Sequence, residues 1–280
     1  MAYKNLLVHL DDSETCAGRV AAAIVLAEAQ DAYLTGLALA VETSMPTYIG
    51  GQMPVEVLEV QRAQVLERGQ AVATRFDEAL ERSGRPGASR LVTGLDIDAA
   101  RVVALHARHA DLVVLGQEEP EAPPALPRHL AEDVVLSAGR PALVVPYIGA
   151  GKTLGRRVMI AWDTGREAAR AVNDALPILK QAEAVTVLSV NPRPGVDLHG
   201  EEPGADIALH LTRHGVTVEV QQTQVEEINV GDTILSRLAD LGCDLLVMGA
   251  YGHSRLREVV LGGVTRTMFE SMTVPVLMSR

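Results

Sequence analysis

Long apolar runs and basic clusters are both missing from this chain of 280 residues. No apolar stretch approaches the roughly 20 residues that a helix needs to cross a lipid bilayer. Acidic residues outnumber basic ones by 36 to 25, and the longest basic tract is Arg156-Arg157. Because affinity for a phosphate backbone depends on clustered Lys and Arg, we expect neither a nucleic acid nor a membrane surface as a partner.

Cysteine is scarce, and no secretory leader is visible at the start of the sequence. Only Cys16 and Cys243 are present, in segments far apart along the chain. Met1-Ala-Tyr-Lys-Asn leads straight into an apolar strand, which is not the pattern of a signal peptide. We therefore expect a cytoplasmic protein whose two thiols are free and buried.

Motifs for metal binding and for covalent catalysis are also missing. Two histidine pairs invite a zinc interpretation, but neither has a third ligand in the usual spacing: His106 with His109, and His210 with His214. The sequence contains no Gly-x-Ser-x-Gly nucleophile elbow. We expect no protein-held metal site, and we interpret these histidines as residues on helix surfaces.

What the chain does contain is an internal repeat of three matched apolar segments. Each pair, first copy and then second, occurs in the same order: Asn5–Asp11 with Arg157–Asp163, Asp111–Gly116 with Asp244–Gly249, and Arg140–Pro146 with Thr273–Met278. Two units of about 130 to 150 residues, each the size of a domain, account for this repeat. We predict domains over residues 1–147 and 156–280.

Residues 148–155 are predicted to be the linker between these domains. This segment includes Gly-Lys152-Thr153, which ends like a phosphate-binding P-loop, but position 146 is Pro where that motif needs Gly. The residues that follow are predicted to form a strand, whereas a P-loop is followed by a helix. The glycines here suit a flexible connection.

Strands alternate with helices in both units, which predicts an α/β fold of two tandem doubly wound domains. Such an alternation gives a parallel sheet covered on both faces by helices. In the second unit, the predicted strands are Arg157–Trp162, Ala184–Val190, Val216–Gln222, Asp244–Gly249 and Val274–Met278. Apolar residues at helical spacing predict a helix over Glu167–Gln181.

The loop after the fourth strand of the second unit is rich in glycine. Gly249 and Gly252 are followed, after nine residues, by Gly262-Gly263. This loop lies at the carboxyl end of a predicted parallel strand, where open α/β sheets bind ligands. Glycines let the backbone approach a phosphate closely, and the next helix points its N–H groups at it. The pattern predicts that the loop cradles an anion.

This loop, with the repeat around it, resembles the universal stress protein family over nearly the whole chain. ATP-binding members of that family carry Gly, two residues, Gly, nine residues, Gly, and then Ser or Thr. Gly249, Gly252 and Gly262 match the three glycines, but Gly263 stands at the hydroxyl position. Thr265 or Ser254 could supply a nearby hydroxyl instead. Gly263 could also adopt a positive φ, in which case a serine there would strain the loop.

The resemblance implies a five-stranded sheet of order 3-2-1-4-5 in each domain. It also implies that the domains form an intramolecular pseudo-dimer through their last strands, near Ala142–Pro146 and Val274–Met278, with a homodimer as a further possibility. The expected nucleotide-binding residues are Ala161, Asp163, Val190, Met248, Gly249, Tyr251, Gly252, Gly262, Gly263, Val264 and Thr265.

The resemblance also assigns roles within this set. Asp163 would accept hydrogen bonds from the ribose, although it could equally cap the helix that starts near Arg166. The backbone of Val190 would contact adenine, and Ala161 and Met248 would line the base. Plain core packing is an equally open interpretation of these three apolar residues.

The first unit departs further from the family pattern. After Gly116 the chain reads Gln117-Glu-Glu-Pro-Glu-Ala-Pro-Pro-Ala-Leu-Pro127. Prolines lack an N–H donor, and the glutamates would repel a polyphosphate. We expect no ATP at this place, and we expect Asp11 to cap a helix together with Asp12 and Ser13. The first unit is then a scaffold or a surface for a partner.

These observations predict a cytoplasmic stress-response protein that binds ATP or AMP, with or without Mg²⁺, in its second domain. It would act as a regulator or binding module for an unknown protein partner. The alternative is a protein that binds no nucleotide and acts through protein contacts. An ATP-consuming ligase or α-hydrolase is disfavoured, because those enzymes carry a Ser-Gly-Gly-x-Asp-Ser type of loop where this chain has Asp163-Thr-Gly-Arg. At most, we expect slow ATP hydrolysis.

Overall fold

In the computed structural model, ten strands form one continuous sheet. The structure describes residues 2–42, 54–121, 128–192, 202–226, 228–252 and 263–280. The first-half strands are β1 Asn5–Leu10, β2 Tyr33–Glu42, β3 Gly87–Leu95, β4 Leu112–Gly116 and β5 Ala142–Val145. The second-half strands are β6 Arg157–Ala161, β7 Ala184–Val190, β8 Val218–Thr223, β9 Leu245–Gly249 and β10 Val276–Ser279.

Helices connect these strands and cover the sheet. In the first half they are α1 Cys16–Gln30, α2 Val55–Ser83, α3 Ala99–Ala107 and α4 Leu130–Ser137, with a short 3-10 turn at Asp96–Asp98. In the second half they are α5 Arg166–Leu179, α6 Ala205–Arg213, α7 Val230–Asp240 and α8 Gly263–Ser271. None of the described helices combines the length and the apolar character that crossing a membrane requires.

The strand order is β3-β2-β1-β4-β5-β10-β9-β6-β7-β8. Each half therefore has the order 3-2-1-4-5, and its internal pairings are parallel. The α/β fold class predicted from the alternating pattern is confirmed.

The two halves join where β5 and β10 pair antiparallel. Leu143 lies opposite Leu277, and Val144 lies opposite Val276. The expected meeting of the last strands is confirmed by this register. Because the sheet passes through the junction without a break, the two halves share one backbone hydrogen-bond network.

Two apolar clusters, one on each face of the sheet, form the core. One contains Val72 and Phe76 of α2 and Val172 of α5, and the other contains Val134 of α4 and Met268 of α8. Each cluster includes strands of both halves. Strands that are buried on both faces read as continuous apolar runs, which explains why the central strands were located from the sequence.

The bounds of some elements differ from the predicted ones for physical reasons. The β8 strand begins at Val218, because the Val216 N–H closes the end of α6 by donating to the Leu211 carbonyl at 3.1 Å. The β10 strand begins at Val276, directly after Pro275, whose nitrogen carries no hydrogen for a ladder. No bounds were predicted for β3, whose residues are half-buried or exposed and form no apolar run.

Side chains also connect the two halves beside the sheet. The Tyr3 hydroxyl donates to the Asp174 carbonyl at 2.5 Å, and the Gln117 Nε2 donates to the Phe269 carbonyl at 2.8 Å. Gln117 is 3% exposed, and its Oε1 also accepts the Tyr147 N–H at 3.1 Å. The residue that follows Gly116 in the first half thus holds the second half in place.

Candidate functional site

The strand order reverses between β6 and β9, which makes this the switch point of the second half. In the register, Ile160 pairs with Val247 on one side, while Ala161 pairs with Leu188 of β7 on the other. The connections that leave β6 and β9 run to opposite faces of the sheet, so a crevice opens at their carboxyl ends. The predicted site residues lie along this edge.

Asp163 is exposed and lies two residues beyond the end of β6. Its Oδ1 accepts the Gly165 N–H at 2.8 Å, which makes a tight turn just before α5. The N-cap of α5 is Gly165. The predicted helix-capping role of Asp163 is therefore wrong: its carboxylate shapes the turn that leads into the helix, at the edge of the crevice.

Gly249 lies against the backbone of α5. A Cβ added to Gly249 would stand 2.5 Å from the Ala168 nitrogen and 2.6 Å from the Glu167 carbonyl carbon. Such contacts are closer than packed atoms allow, so any other residue would push the strand and the helix apart. Gly249 thus permits a close approach of the end of β9 to α5.

Gly252 faces the side chain of Glu167, a residue that was not among the predicted site residues. A Cβ at Gly252 would lie 3.2 Å from the Glu167 Oε2. Glu167 is 5% exposed, and its Oε1 accepts a hydrogen bond from the Arg166 Nε at 2.5 Å. An acidic residue in the first turn of a helix is favoured by the helix dipole, and this was the signal available in the sequence.

Thr265 ties the glycine loop to α8. It is 3% exposed, and its Oγ1 accepts the Tyr251 N–H at 3.4 Å. Tyr251 has a φ of 64°, and its buried hydroxyl has no hydrogen-bond partner among the residues that the structure describes. Burial, together with Glu132 and Asp133, raises the pKa of Tyr251 above its usual range. The Thr265 hydroxyl is engaged with the protein backbone.

Gly263 opens α8 and is exposed. No atom of the described residues lies within 4 Å of a Cβ added there, and Gly263 is not among the glycines with a positive φ. The alternative that a serine at this position would be strained is therefore wrong. Gly262 and Ser254 lie outside the described residues.

The apolar candidates come together at the floor of the crevice. Met248 is 4% exposed and belongs to the core cluster. Ala161 and Val190 pack against that cluster and are only half-buried, as are Tyr251 and Val264. All five thus contribute to packing, and the half-buried ones also leave apolar surface at the carboxyl edge of the sheet.

The second half of the chain resembles known proteins in sequence. Residues 155–280 match the pattern of the universal stress protein family. The second half of the chain is therefore a universal stress protein domain by sequence. A universal stress protein from Synechocystis sp. (strain ATCC 27184 / PCC 6803 / Kazusa) is 31% identical over 103 residues, a match that covers 30% of this chain and 36% of that protein.

Solved structures show the same fold over the whole length. A universal stress protein from Archaeoglobus fulgidus DSM 4304 superposes with a TM-score of 0.72 at 15% identity, covering 99% of this chain and 98% of that one. A protein of unknown function from Pseudomonas aeruginosa PAO1 gives a TM-score of 0.59 at 15% identity, covering 99% and 92%. At such identities, the likeness concerns the fold.

The first half of the chain fills the equivalent edge with its own side chains. A Cβ at Gly116, the match of Gly249, would meet the Arg19 Nη1 at 2.1 Å. The Arg19 Nη2 lies 2.7 Å from the Asp11 Oδ2, and Arg19 is 4% exposed. A buried ion pair thus covers the end of β4.

Asp11 also accepts hydrogen bonds from Ser13, through its N–H at 3.1 Å and through its hydroxyl. The predicted helix-capping role of Asp11 is nevertheless wrong, because the N-cap of α1 is Thr15 and no side chain among the described residues caps that helix end. The guanidinium of Arg19 holds the pKa of Asp11 well below its usual range, against the opposing effect of burial. Arg19 was not predicted, because nothing in a helical segment marks one arginine as buried.

Among the residues that the structure describes, no three His, Cys, Asp or Glu side chains are grouped so that they could hold a metal ion. The rings of His210 and His214 lie 4.6 Å apart at their centroids. Both cysteines are free, Cys243 buried and Cys16 half-buried.

Proposed function

We propose that this protein binds one adenine nucleotide, ATP or AMP, at the carboxyl edge of β6 and β9, and that it acts as a cytoplasmic regulator for a protein partner. The observation that carries the proposal is the arrangement at the switch point. Asp163 borders the crevice on the β6 side, and the loop from Gly249 to Gly252 borders it on the β9 side. A crevice between a carboxylate and a glycine loop suits a ribose next to phosphates.

The residues present fit such a ligand in most respects. The half-buried Ala161 and Val190 offer apolar surface for the base, next to Met248. The first turn of α8, which begins at the exposed Gly263, offers backbone N–H groups for phosphate oxygens. An accompanying Mg²⁺ would depend on oxygens of the nucleotide, because no cluster of three ligating side chains exists in the described part of the chain.

A stoichiometry of one nucleotide per chain follows from the first half. Arg19 occupies the space above Gly116, and Asp11 is engaged with both Arg19 and Ser13. Among the described residues, that edge therefore offers neither an available carboxylate for a ribose nor an open glycine loop for phosphates.

One observation favours the alternative of a protein that acts only through protein contacts. The Glu167 carboxylate faces Gly252, and a negative charge there opposes an incoming polyphosphate. The Arg166 guanidinium, 2.5 Å from that carboxylate, offsets the charge. This pairing removes the electrostatic objection to a nucleotide at the loop.

The experiment is to purify the full chain gently, denature it and identify any released nucleotide by chromatography. Calorimetry with ATP and with AMP should then give a stoichiometry near one per chain. Phosphate release measured in parallel should be slow at most. Neither released nucleotide nor binding heat would favour the alternative, and two equivalent sites would contradict the assignment to the second half.

A further inference from the structure

A cavity of about 470 Å³ lies at the junction of the two halves. Four arginines and one glutamate line it, together with three residues at and after the end of α4: Arg140, Arg166, Arg170, Arg280, Glu167, Val135, Leu136 and Gly139. Ligand pockets in proteins commonly have volumes of about 300 to 1,000 Å³. Guanidinium groups are concentrated here in a chain with a net charge of -11.

The fold brings these arginines together from both halves. The antiparallel pairing sets Ala142 of β5 against Met278 of β10, so Arg140 before β5 lies near Arg280 after β10. Arg166 and Arg170 are four residues apart and lie on the same side of α5. The cavity is therefore complete only when the two halves are joined.

The positive charge of the cavity exceeds its negative charge. Two of the arginines have carboxylate partners: the Arg166 Nε bonds to Glu167 at 2.5 Å, and the Arg170 Nε bonds to Asp174 at 2.7 Å. The other two donate to backbone carbonyls. The Arg140 Nη2 donates to Arg108 at 3.2 Å, and the Arg280 Nη1 donates to Leu136 at 3.3 Å. Neither forms an ion pair with any residue that the structure describes.

We propose that this cavity binds a polyvalent phosphate-class anion that bridges the two halves. Arginine is suited to this, because its planar fork binds two phosphate oxygens at once and it stays charged at all physiological pH values. Two unneutralised guanidinium groups match an anion that carries several charges. The first half would then take part in anion binding even though its own crevice is filled by Arg19.

The anion has two possible sources with the same chemistry. Glu167 lines the cavity and also faces Gly252, so the cavity adjoins the glycine loop. The terminal phosphates of a nucleotide at that loop could reach the cavity, or a free diphosphate could enter it from solution. The cavity itself does not require the proposed nucleotide site, because Arg140 and Arg280 lie outside that site.

The test is calorimetric titration of the full chain with sodium pyrophosphate at low ionic strength. We expect saturable binding near one per chain that weakens as salt is added. Arg140→Gln should weaken it roughly tenfold, since it removes a charge-assisted contact. Arg140→Lys keeps the charge but loses the planar guanidinium that binds two oxygens at once. Its affinity for pyrophosphate should therefore lie between those of the parent and of Arg140→Gln.

The matched control is Arg101→Gln. Arg101 is also an exposed first-half arginine, but its ion pair is with Asp98, away from the cavity. The Arg101→Gln substitution should leave the affinity for pyrophosphate unchanged. Thermal unfolding of each variant verifies that it is folded. Equal losses in Arg101→Gln and Arg140→Gln would overturn the site, because general charge would then account for the binding.

The source of the anion is decided by repeating the titration with ATP and AMP. If nucleotide phosphates reach the cavity, Arg140→Gln lowers the affinity for ATP and leaves the affinity for AMP unchanged. If the anion is free, ATP affinity is unaffected and pyrophosphate still binds in the presence of saturating AMP. The proposal is wrong if neither pyrophosphate nor ATP shows any dependence on Arg140. If the parent protein binds pyrophosphate but neither ATP nor AMP, the result counts against the nucleotide site and not against the cavity.

Discussion

The carboxylate of Glu167 faces Gly252 across the crevice, 3.2 Å from the position that a Cβ would take. This relationship places a charge from the start of α5 beside the loop that follows β9. Because Arg166 pairs with Glu167, the charge at the loop depends on two residues that adjoin the Asp163 turn. The turn after β6 and the loop after β9 are therefore electrostatically connected.

Gly252→Asp should abolish ATP binding, with at least a hundredfold loss of affinity. The new carboxylate would stand beside that of Glu167 and would repel both Glu167 and an incoming phosphate. A loss of this size corresponds to about 2.7 kcal/mol. Calorimetry with ATP measures it.

Gly252→Ala is the matched control for that substitution. Among the described residues, its Cβ would meet only the carboxylate end of the Glu167 side chain, 3.2 Å from the Oε2. The alanine variant should bind ATP within about threefold of the parent, which is well under 1 kcal/mol. If Gly252→Asp binds as tightly as Gly252→Ala, the loop does not face the phosphates.

Gly263→Ser should increase the affinity for ATP more than the affinity for AMP. The position is exposed, its φ is not positive, and no atom of the described residues lies within 4 Å of the new Cβ, so a serine fits without strain. A hydrogen bond to a charged oxygen is worth roughly 1.5 to 3 kcal/mol before costs, so a gain of about tenfold is expected for ATP. Equal changes in ATP and AMP affinity would show that position 263 lies away from the terminal phosphates.

Gly249→Ala should destabilise the protein by about 1 to 3 kcal/mol, as overpacking of a well-packed contact does. The reason is the 2.5 Å approach of the added Cβ to the Ala168 nitrogen. Denaturant unfolding measures the loss. Gly263→Ala provides the comparison, because among the described residues its Cβ meets open space at the start of a helix and should be neutral or slightly stabilising. Equal effects of the two alanines would contradict the packing role of Gly249.

The strands could be predicted because their physical signal is local. β7 was predicted with the observed bounds, Ala184–Val190, since a strand buried on both faces is mostly apolar, and its two polar residues, Thr186 and Ser189, are uncharged. The repeat predicted the order of elements in both halves. The antiparallel contact of β5 with β10 followed from the family resemblance, not from the strands themselves.

The charged contacts of the crevice could not be predicted in the same way. Glu167 and Gly252 are 85 positions apart, and Arg19 and Gly116 are 97 apart. Contacts of that separation depend on which helix face packs on which strand end, and no periodic pattern records it. The glycine spacing suggested phosphate binding for Gly249, whereas the packing of α5 is what requires a glycine there.

The pH dependence of stability should carry a signature of His9. Burial lowers the pKa of His9 from 6.5 to about 4, and its Nε2 has no hydrogen-bond partner. Asp11, with its Oδ2 3.7 Å from the Nδ1, and Arg19 are the charged groups that face the ring, and they act in opposite directions on its pKa. Between pH 6.5 and 4, the unfolded chain binds a proton at this histidine and the folded chain does not. The free energy of unfolding should therefore fall as pH falls through that window, by about 3 kcal/mol in total.

His9→Gln should remove this slope, and the difference between parent and variant isolates it from other titrating groups. Chemical denaturation at a series of pH values from 7 to 4 measures both. His129→Gln supplies a control of opposite sign. A hydrogen bond to Glu132 raises the pKa of the exposed His129, so this group stabilises the fold at low pH and loses that effect as pH rises through its folded pKa. His129→Gln should therefore make the loss of stability on acidification slightly steeper than in the parent. His9→Gln should make that loss less steep. Parallel slopes for the parent and His9→Gln would mean that the folded and unfolded chains bind the proton of this histidine equally, so that folding does not lower its pKa.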